Sequence, residues 1–359
     1  MSVVFFHQNE VLGAQGGIER YLATLLEQAG ESGFLVTGTS SGGDARAAGS
    51  RFVVPLPLQK IAPRWLSYAL GVMLSARRVR RAIDRLRPHT LEFSRPHYVV
   101  FSWVFRGTKV FTVHGTGPPR SERANYWIHY ISCLLLPFTA DVVQIVGRDH
   151  SGLPSLTARS MAKRLRYVDA WYDEVFRVAP FRNPAGPLRV FFAGRLAPMK
   201  NPELLFKIIE TASQRLDRRF EFLYFGADED KIPVSLRRTL ISSGLLDVEQ
   251  LANAITDCHA GLLCSGYGEG SPFIVVEALA CGRGFVLPPL PGLVEAYQNY
   301  RGIVFASTHS VDAFIDALVR MDEAIKGGLT PQLIAQDVSN RSATVMARQI
   351  LDHLEGDHR

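Results

Sequence analysis

The sequence predicts an α/β protein built from two doubly wound domains with parallel sheets. Three observations lead there. Short β-branched or aromatic runs alternate with longer amphipathic stretches, the pattern of strand and helix in turn. A Pro/Gly-rich passage, VAPFRNPAGP at Val178–Pro187, divides these runs into two series. The chain has 359 residues, 47% of them apolar, which is enough for two domains with separate cores.

In the first series the expected strands read VVFFH, FLVTGT, FVVP, TLEF, KVFTVHG and DVVQIV; in the second they read LRVFFAG, FEFLYFG, AGLLCS, GFVLP and GIVFA. Asn201-Pro202 and Ser271-Pro272 are expected to open helices, with the polar residue as cap and proline in the first turn. The expected division is an N-terminal domain over 1–176, a linker over 177–187, a C-terminal domain over 188–335, and a terminal helix over 336–359 that crosses back to the N-terminal domain. In such sheets ligands sit beyond the carboxyl ends of the strands, so a cleft between two facing domains is the expected site.

The formal charge of +6 favours a polyanionic small ligand or an acidic membrane surface and does not by itself exclude nucleic acid, though no nucleic-acid partner is expected. Cys133, Cys258, Cys264 and Cys281 lie in or beside apolar runs without metal-ligand spacing, as in a reduced, cytoplasmic chain. MSVVFFHQNE lacks the basic head of a signal peptide, and the longest apolar stretch, Tyr126 to Ala140, falls short of a bilayer span.

Four segments carry chemistry. In GYGEGSPFIVVEAL, Glu269 and Glu277 are eight positions apart. On one continuous helix that would separate the carboxylates by about 12 Å along the axis. Ser271 and Pro272 are instead expected to start a helix over Phe273 to about Cys281, leaving Glu269 in the loop and Glu277 inside the helix. One loop carboxylate, one helix carboxylate and a helix N-terminus suit a ligand anionic in its middle and hydroxyl-rich at both ends, as a nucleoside diphosphate sugar is. In GAQGGIER, Gly16 and Gly17 would let backbone N–H groups approach a phosphate; alone, the pair is equally a tight turn. In FFAGRLAPMKNPELL, Arg195 and Lys200 stand at the end of a buried strand, where two cations can neutralise a departing diphosphate, or form a solvated basic loop. KVFTVHGTG delivers His114 at a strand end, as a catalytic candidate or a structural hydrogen-bonding residue.

Together GGIER, TVHG, VDAWYDEVF, AGRLAPMKNPELL, and GEGSPFIVVEALACG followed by GLVEA resemble the retaining glycosyltransferases of the GT-B fold, family four, the bacterial sugar transferases. The resemblance implies two facing Rossmann-like domains with an interdomain cleft, the first for the acceptor and the second for the donor. It implies that Glu277 holds ribose hydroxyls, that Glu269 and the backbone of Gly270, Ser271, Pro272 and Phe273 hold the donor sugar, and that Arg195 and Lys200 hold the diphosphate. Gly17 would approach the phosphate and His114 the transferred sugar. Front-side attack with retention of configuration, in which the leaving phosphate takes the acceptor's proton, is the implied mechanism.

Two departures stand out: FGADED lacks the family's usual second glycine, and CGRGFVLPP replaces the usual Gly-x-Pro-Val-Val. Asp228 to Asp230 are expected to form a solvated loop rather than a metal site, because Arg195 and Lys200 supply the positive charge, and no cofactor is expected. A nucleotide-sugar epimerase of the same fold and a non-catalytic scaffold of a polysaccharide-assembly complex stay open as alternatives. Finally, RWLSYALGVMLSARRVRRAIDRLR over 64–87 joins an apolar front half to a cationic back half. It suits peripheral contact with an anionic membrane at the inner face of the cell membrane, or a helix packed on its own sheet.

Overall fold

A computed structural model describes residues 2–9, 11, 17–38, 51–58, 61–115, 117, 122–150, 152–183, 185–216 and 219–356, with side chains to 354. The chain forms two compact units, one of residues 1–168 with 344–359 and one of residues 169–343.

In the first unit the strands are β1 (Val3–His7), β2 (Gly33–Gly38), β3 (Arg51–Val54), β4 (Thr90–Phe93), β5 (Thr108–His114), β6 (Val142–Val146) and β7 (Leu165–Val168), in the order β3-β2-β1-β4-β5-β6-β7. Every pairing is parallel. The chain winds outward from β1 to β3, returns, and winds the other way from β4, so the switch point lies between β1 and β4. Val4, Phe6, Leu91 and Phe93 pack with Tyr68, Val72, Ile83 and Leu136 from the helices between strands. A buried polar row runs through this sheet: Thr112 donates to Glu92, and the Gln144 amide donates to Tyr21 Oη and, at 3.3 Å, to Thr112 Oγ1. Burial holds the Glu92 carboxyl up at about 8.

In the second unit the strands are β8 (Leu188–Ala193), β9 (Phe220–Phe225), β10 (Leu240–Ser242), β11 (Ala260–Leu262), β12 (Gly284–Leu287) and β13 (Ile303–Phe305), in the order β10-β9-β8-β11-β12-β13 and again all parallel. Strand alternation gives this sheet two cores. Val190 and Phe192 pack with Leu205, Ile208 and Phe314 on one face, whereas Phe191 packs with Ile255, Val275 and Leu279 on the other. The switch point falls between β8 and β11.

The stretch 64–87 is two helices, Arg64–Leu74 and Ala76–Leu86, broken at Ser75. Tyr68, Ala69 and Val72 are buried against the sheet, and Trp65 packs on the His97 ring at 4.9 Å. Of the two readings of this stretch, the apolar front half follows the second and is largely committed to the core. Arg77, Arg78, Arg80, Arg81, Arg85 and Arg87 are all exposed.

Candidate active site

The second unit gathers its functional candidates at the carboxyl ends of β8 and β11, the two strands that flank its switch point. After β8 the chain passes Arg195, makes a short turn over Pro198–Lys200, and enters the helix Pro202–Arg215. Asn201 caps that helix as expected, its side chain accepting from the Leu204 N–H at 3.4 Å with proline following. After β11 the chain runs through Ser265 and Glu269 into the helix Phe273–Ala280.

Two ties hold these loops together, and a third fastens the first of them to the loop after β9. The Gly266 N–H donates to Met199 O at 3.1 Å. The Lys200 ammonium donates to Glu269 Oε1, which also accepts from the Ser265 hydroxyl at 2.6 Å. The Leu196 N–H donates to Asp228 Oδ2 at 2.7 Å. Asp228 is thus a brace for the Arg195 loop, ion-paired with Lys231 at 2.9 Å, and Lys231 and the Leu196 N–H hold its carboxyl below the usual range. Tyr224 Oη completes the brace by donating to Gly194 O at 3.0 Å and accepting from the Asp228 N–H at 3.2 Å. Gly226 has to be glycine here, since a Cβ would lie 2.4 Å from Gly194 O.

Ser271 differs from expectation. Pro272 is the N-cap of Phe273–Ala280, and no side chain caps the helix. The Ser271 hydroxyl is used elsewhere: it accepts from the Ala170 N–H at 2.8 Å and shares a hydrogen bond with Tyr297 Oη at 3.2 Å. Trp171 adds an edge contact to Phe273 at 5.2 Å. The VDAWYDEVF segment therefore buttresses the loop that precedes the helix. Val275, Val276 and Leu279 are fully buried, each stabilising the helix by about 1.5–3 kcal/mol. Glu277, 1% exposed, is held on this helix, and Glu269 is 7% exposed. Arg195 is exposed in its loop.

Arg195, Lys200, Glu269, Gly270, Ser271, Pro272, Phe273 and Glu277 thus share one end of one sheet. Chemically this is a pair of cations, two enclosed carboxylates and the positive end of a helix, a set that can hold an anion flanked by hydroxyls. Lys200 and Glu269, expected to serve different parts of a ligand, also pair with each other. Ser265, Asp228 and Tyr224 were not expected; their only signal is that each sits at a strand end. Among the described residues no group of His, Cys, Asp and Glu could hold a metal ion.

The remaining candidates belong to the first unit. Gly17 opens the helix Gly17–Ala29, and Gly16 lies outside the described residues. His114 closes β5, its ring edge-on to Tyr21 at 5.2 Å. Burial, with the nearby Arg95 charge, holds its imidazole down at about 3, so at neutral pH it is an uncharged hydrogen-bonding group.

Comparison with known proteins bears on both units. Anabaena HepE in complex with UDP superposes with a TM-score of 0.72 at 14% identity, covering 99% of this chain and 100% of that one. The lipopolysaccharide outer core galactosyltransferase WaaB does so at 0.71 and 13% identity, covering 99% of each chain. The protein has the GT-B fold of glycosyltransferases. Its residues 187–323 match the model of the family Glycosyl transferases group 1. Among curated relatives, a D-inositol 3-phosphate glycosyltransferase of an Arthrobacter species is 26% identical over 158 residues, which is 41% of this chain and 37% of the relative. A Campylobacter jejuni N,N'-diacetylbacillosaminyl-diphospho-undecaprenol alpha-1,3-N-acetylgalactosaminyltransferase is 28% identical over 148 residues, 40% of this chain and 38% of the relative. These matches span little more than a third of the curated relatives' length.

Proposed function

We propose that the protein is a retaining, metal-independent glycosyltransferase. It moves a sugar from a nucleoside diphosphate sugar to a hydroxyl of a glycan or lipid-linked acceptor, in bacterial surface polysaccharide or glycolipid assembly. The observation that carries this reading is the gathering of Arg195, Lys200, Glu269 and the Glu277 helix at the switch point of the group 1 domain. Arg195 and Lys200 take up the charge that grows on the leaving diphosphate, Glu269 and the backbone of Gly270–Phe273 orient the sugar, and Glu277 accepts from the ribose hydroxyls. Neutral His114 and the Gly17 backbone serve the sugar and phosphate from the first unit. The leaving phosphate oxygen takes the acceptor's proton, so no carboxylate nucleophile is required. UDP is the first nucleotide to test, because HepE is described in complex with UDP and with UDP-glucose.

The enclosed pair separates two roles. Glu277→Ala is expected to weaken binding of bare UDP about tenfold or more, the scale of losing a hydrogen bond to a charged group. Glu269→Ala leaves Lys200 free for phosphate, so its bare UDP affinity should hold while sugar transfer falls. Calorimetric titration of UDP into both variants decides it, and equal losses would remove the distinction.

A peripheral membrane contact belongs to the same proposal, on a different surface from the front half of 64–87. No helix among the described residues is long and apolar enough to cross a membrane. The helix Arg123–Thr139, however, leaves Trp127 55% exposed and Phe138 84% exposed, with Ile131 and Leu135 exposed between them. That spacing makes one stripe. The helix Val99–Ser102 packs between this helix and Arg64–Leu74, and Trp103 just after it is exposed. Arg80 donates to Val104 O at 2.6 Å, which ties the arginine-bearing helix to the same layer. Apolar anchors beside six exposed arginines suit an anionic bilayer, each arginine adding about 1 kcal/mol. The protein is expected to float with anionic vesicles at low salt and not with neutral ones, and Trp127→Ala with Phe138→Ala should abolish flotation. Failure to float with either vesicle would leave a soluble acceptor as the better reading.

A further inference from the structure

The carboxyl end of the first unit's sheet holds a polar cluster that, His114 apart, the donor chemistry does not use. His7 closes β1, His114 closes β5, and Ser94, Arg95 and His97 follow β4. Residues from β1 and β4 here flank the switch point, the place where sheets of this kind bind ligands. A hydrogen-bond chain spans it. Glu19 can only accept, so the Nε2–H of neutral His7 donates to Glu19 Oε1 at 3.2 Å, and His7 Nδ1 shares a 2.7 Å hydrogen bond with the Ser94 hydroxyl, which also lies 3.0 Å from Phe6 O. Asn9 donates to the same Glu19 oxygen at 2.7 Å.

Arg95 stands in this group with no anion among the described residues. Its charge is close enough to His7, His97 and His114 to oppose protonation of each. Glu19 is engaged by His7 and Asn9, and no carboxylate among the described residues pairs with Arg95. Its Nε is buried without a hydrogen-bond partner, and so are His97 Nε2 and His114 Nε2. A half-buried guanidinium among neutral imidazoles, with three unfilled nitrogen positions, has the donor set that a tetrahedral oxyanion requires. Three nitrogens, with the imidazoles in their Nε2–H form, also outnumber the two oxygens of a carboxylate.

We propose that Arg95, flanked by His97 and His114, recognises a phosphate carried by the acceptor substrate. The acceptor is then a phosphorylated sugar or lipid phosphate rather than a neutral glycan. This rests on reading the first unit as the acceptor half of a glycosyltransferase. The phosphate could otherwise be the donor's own, and the test separates the two.

The full chain is titrated with methyl phosphate, with acetate and with UDP, following the imidazole proton signals of His97 and His114 by NMR. Methyl phosphate is expected to shift both signals, equally well in the presence of saturating UDP, and acetate is expected to bind much more weakly. Arg95→Gln should weaken methyl phosphate binding tenfold or more, Arg95→Lys should restore part of it, and UDP affinity should be the same in all three proteins. Displacement of methyl phosphate by UDP would assign the site to the donor and overturn the proposal. So would unchanged binding in Arg95→Gln, or acetate binding as tightly as methyl phosphate. A chain that binds methyl phosphate through Arg95 yet binds no nucleotide would instead overturn the glycosyltransferase reading, and the acceptor assignment with it.

Discussion

Replacing Arg195 or Lys200 with alanine is expected to lower turnover about a hundredfold, the scale of losing one donor to transition-state charge. The two variants should differ in stability. Arg195 is exposed and braced only through its backbone neighbours, so Arg195→Ala should leave the unfolding midpoint unchanged. Lys200 pairs with a carboxylate that is 7% exposed, and removing it leaves Glu269 with the Ser265 hydroxyl alone. Breaking a fully enclosed pair costs about 3–5 kcal/mol, and Lys200, itself 20% exposed, should cost roughly 2 kcal/mol. Steady-state transfer assays and thermal melts on both variants read the two effects separately. Near-normal rates in both would remove these residues from the diphosphate site.

Arg283→Ala should be the most destabilising single change in the second unit that spares the candidate site, by about 3–5 kcal/mol. Arg283 is 0% exposed. Its guanidinium donates to Ala179 O at 2.8 Å, Pro180 O at 3.0 Å and Thr256 O at 2.7 Å, and lies 5.0 Å from the Phe181 ring. Burial pushes its pKa down, and the carbonyls take up its two terminal nitrogens while Nε stays without a partner. One side chain thus adds two hydrogen bonds and a ring contact that fasten Ala179–Phe181, beside the Ala179 N–H bond to Cys281 O and the packing of Phe181 on the core. Arg283→Met, which keeps much of the volume and orphans the same carbonyls, should still cost about 2 kcal/mol. Urea titration measures both; a loss under about 1 kcal/mol in the alanine variant would show that the clamp adds little.

That arginine also marks the limit of what the sequence makes legible. CGRGFVLPP stands out as a departure from the family pattern, but nothing in its neighbours says that the side chain turns inward to carbonyls about a hundred residues away in sequence. The strands with continuous apolar runs, such as VVFFH and LRVFFA, are read correctly because both faces of a parallel sheet are covered. β7 and β10 escape notice because they are edge strands: LRYV and LIS each pair on one side only and are partly exposed, so their composition is mixed. The positions of Arg195, Lys200, Glu269 and Glu277 at one sheet end follow from strand-end spacing and the break at Pro272. The Lys200–Glu269 pair and the Asp228 brace join residues 69 and 32 positions apart, and only the strand order β9-β8-β11 brings them together. Ser271 shows the opposite failure. A good capping residue stands at a helix start, yet its hydroxyl is taken by Ala170 and Tyr297. The apolar stretch Tyr126–Ala140 was too short to span a bilayer, a test that does not ask whether one face stays exposed.

The central claim is tested most directly by following release of nucleoside diphosphate from a panel of nucleoside diphosphate sugars in the presence of a chelator, with and without a lipid-linked sugar acceptor. One donor should be turned over without metal, faster with acceptor, and this turnover should fall about a hundredfold in Arg195→Ala. No release from any donor, together with no binding of any nucleoside diphosphate, would contradict it.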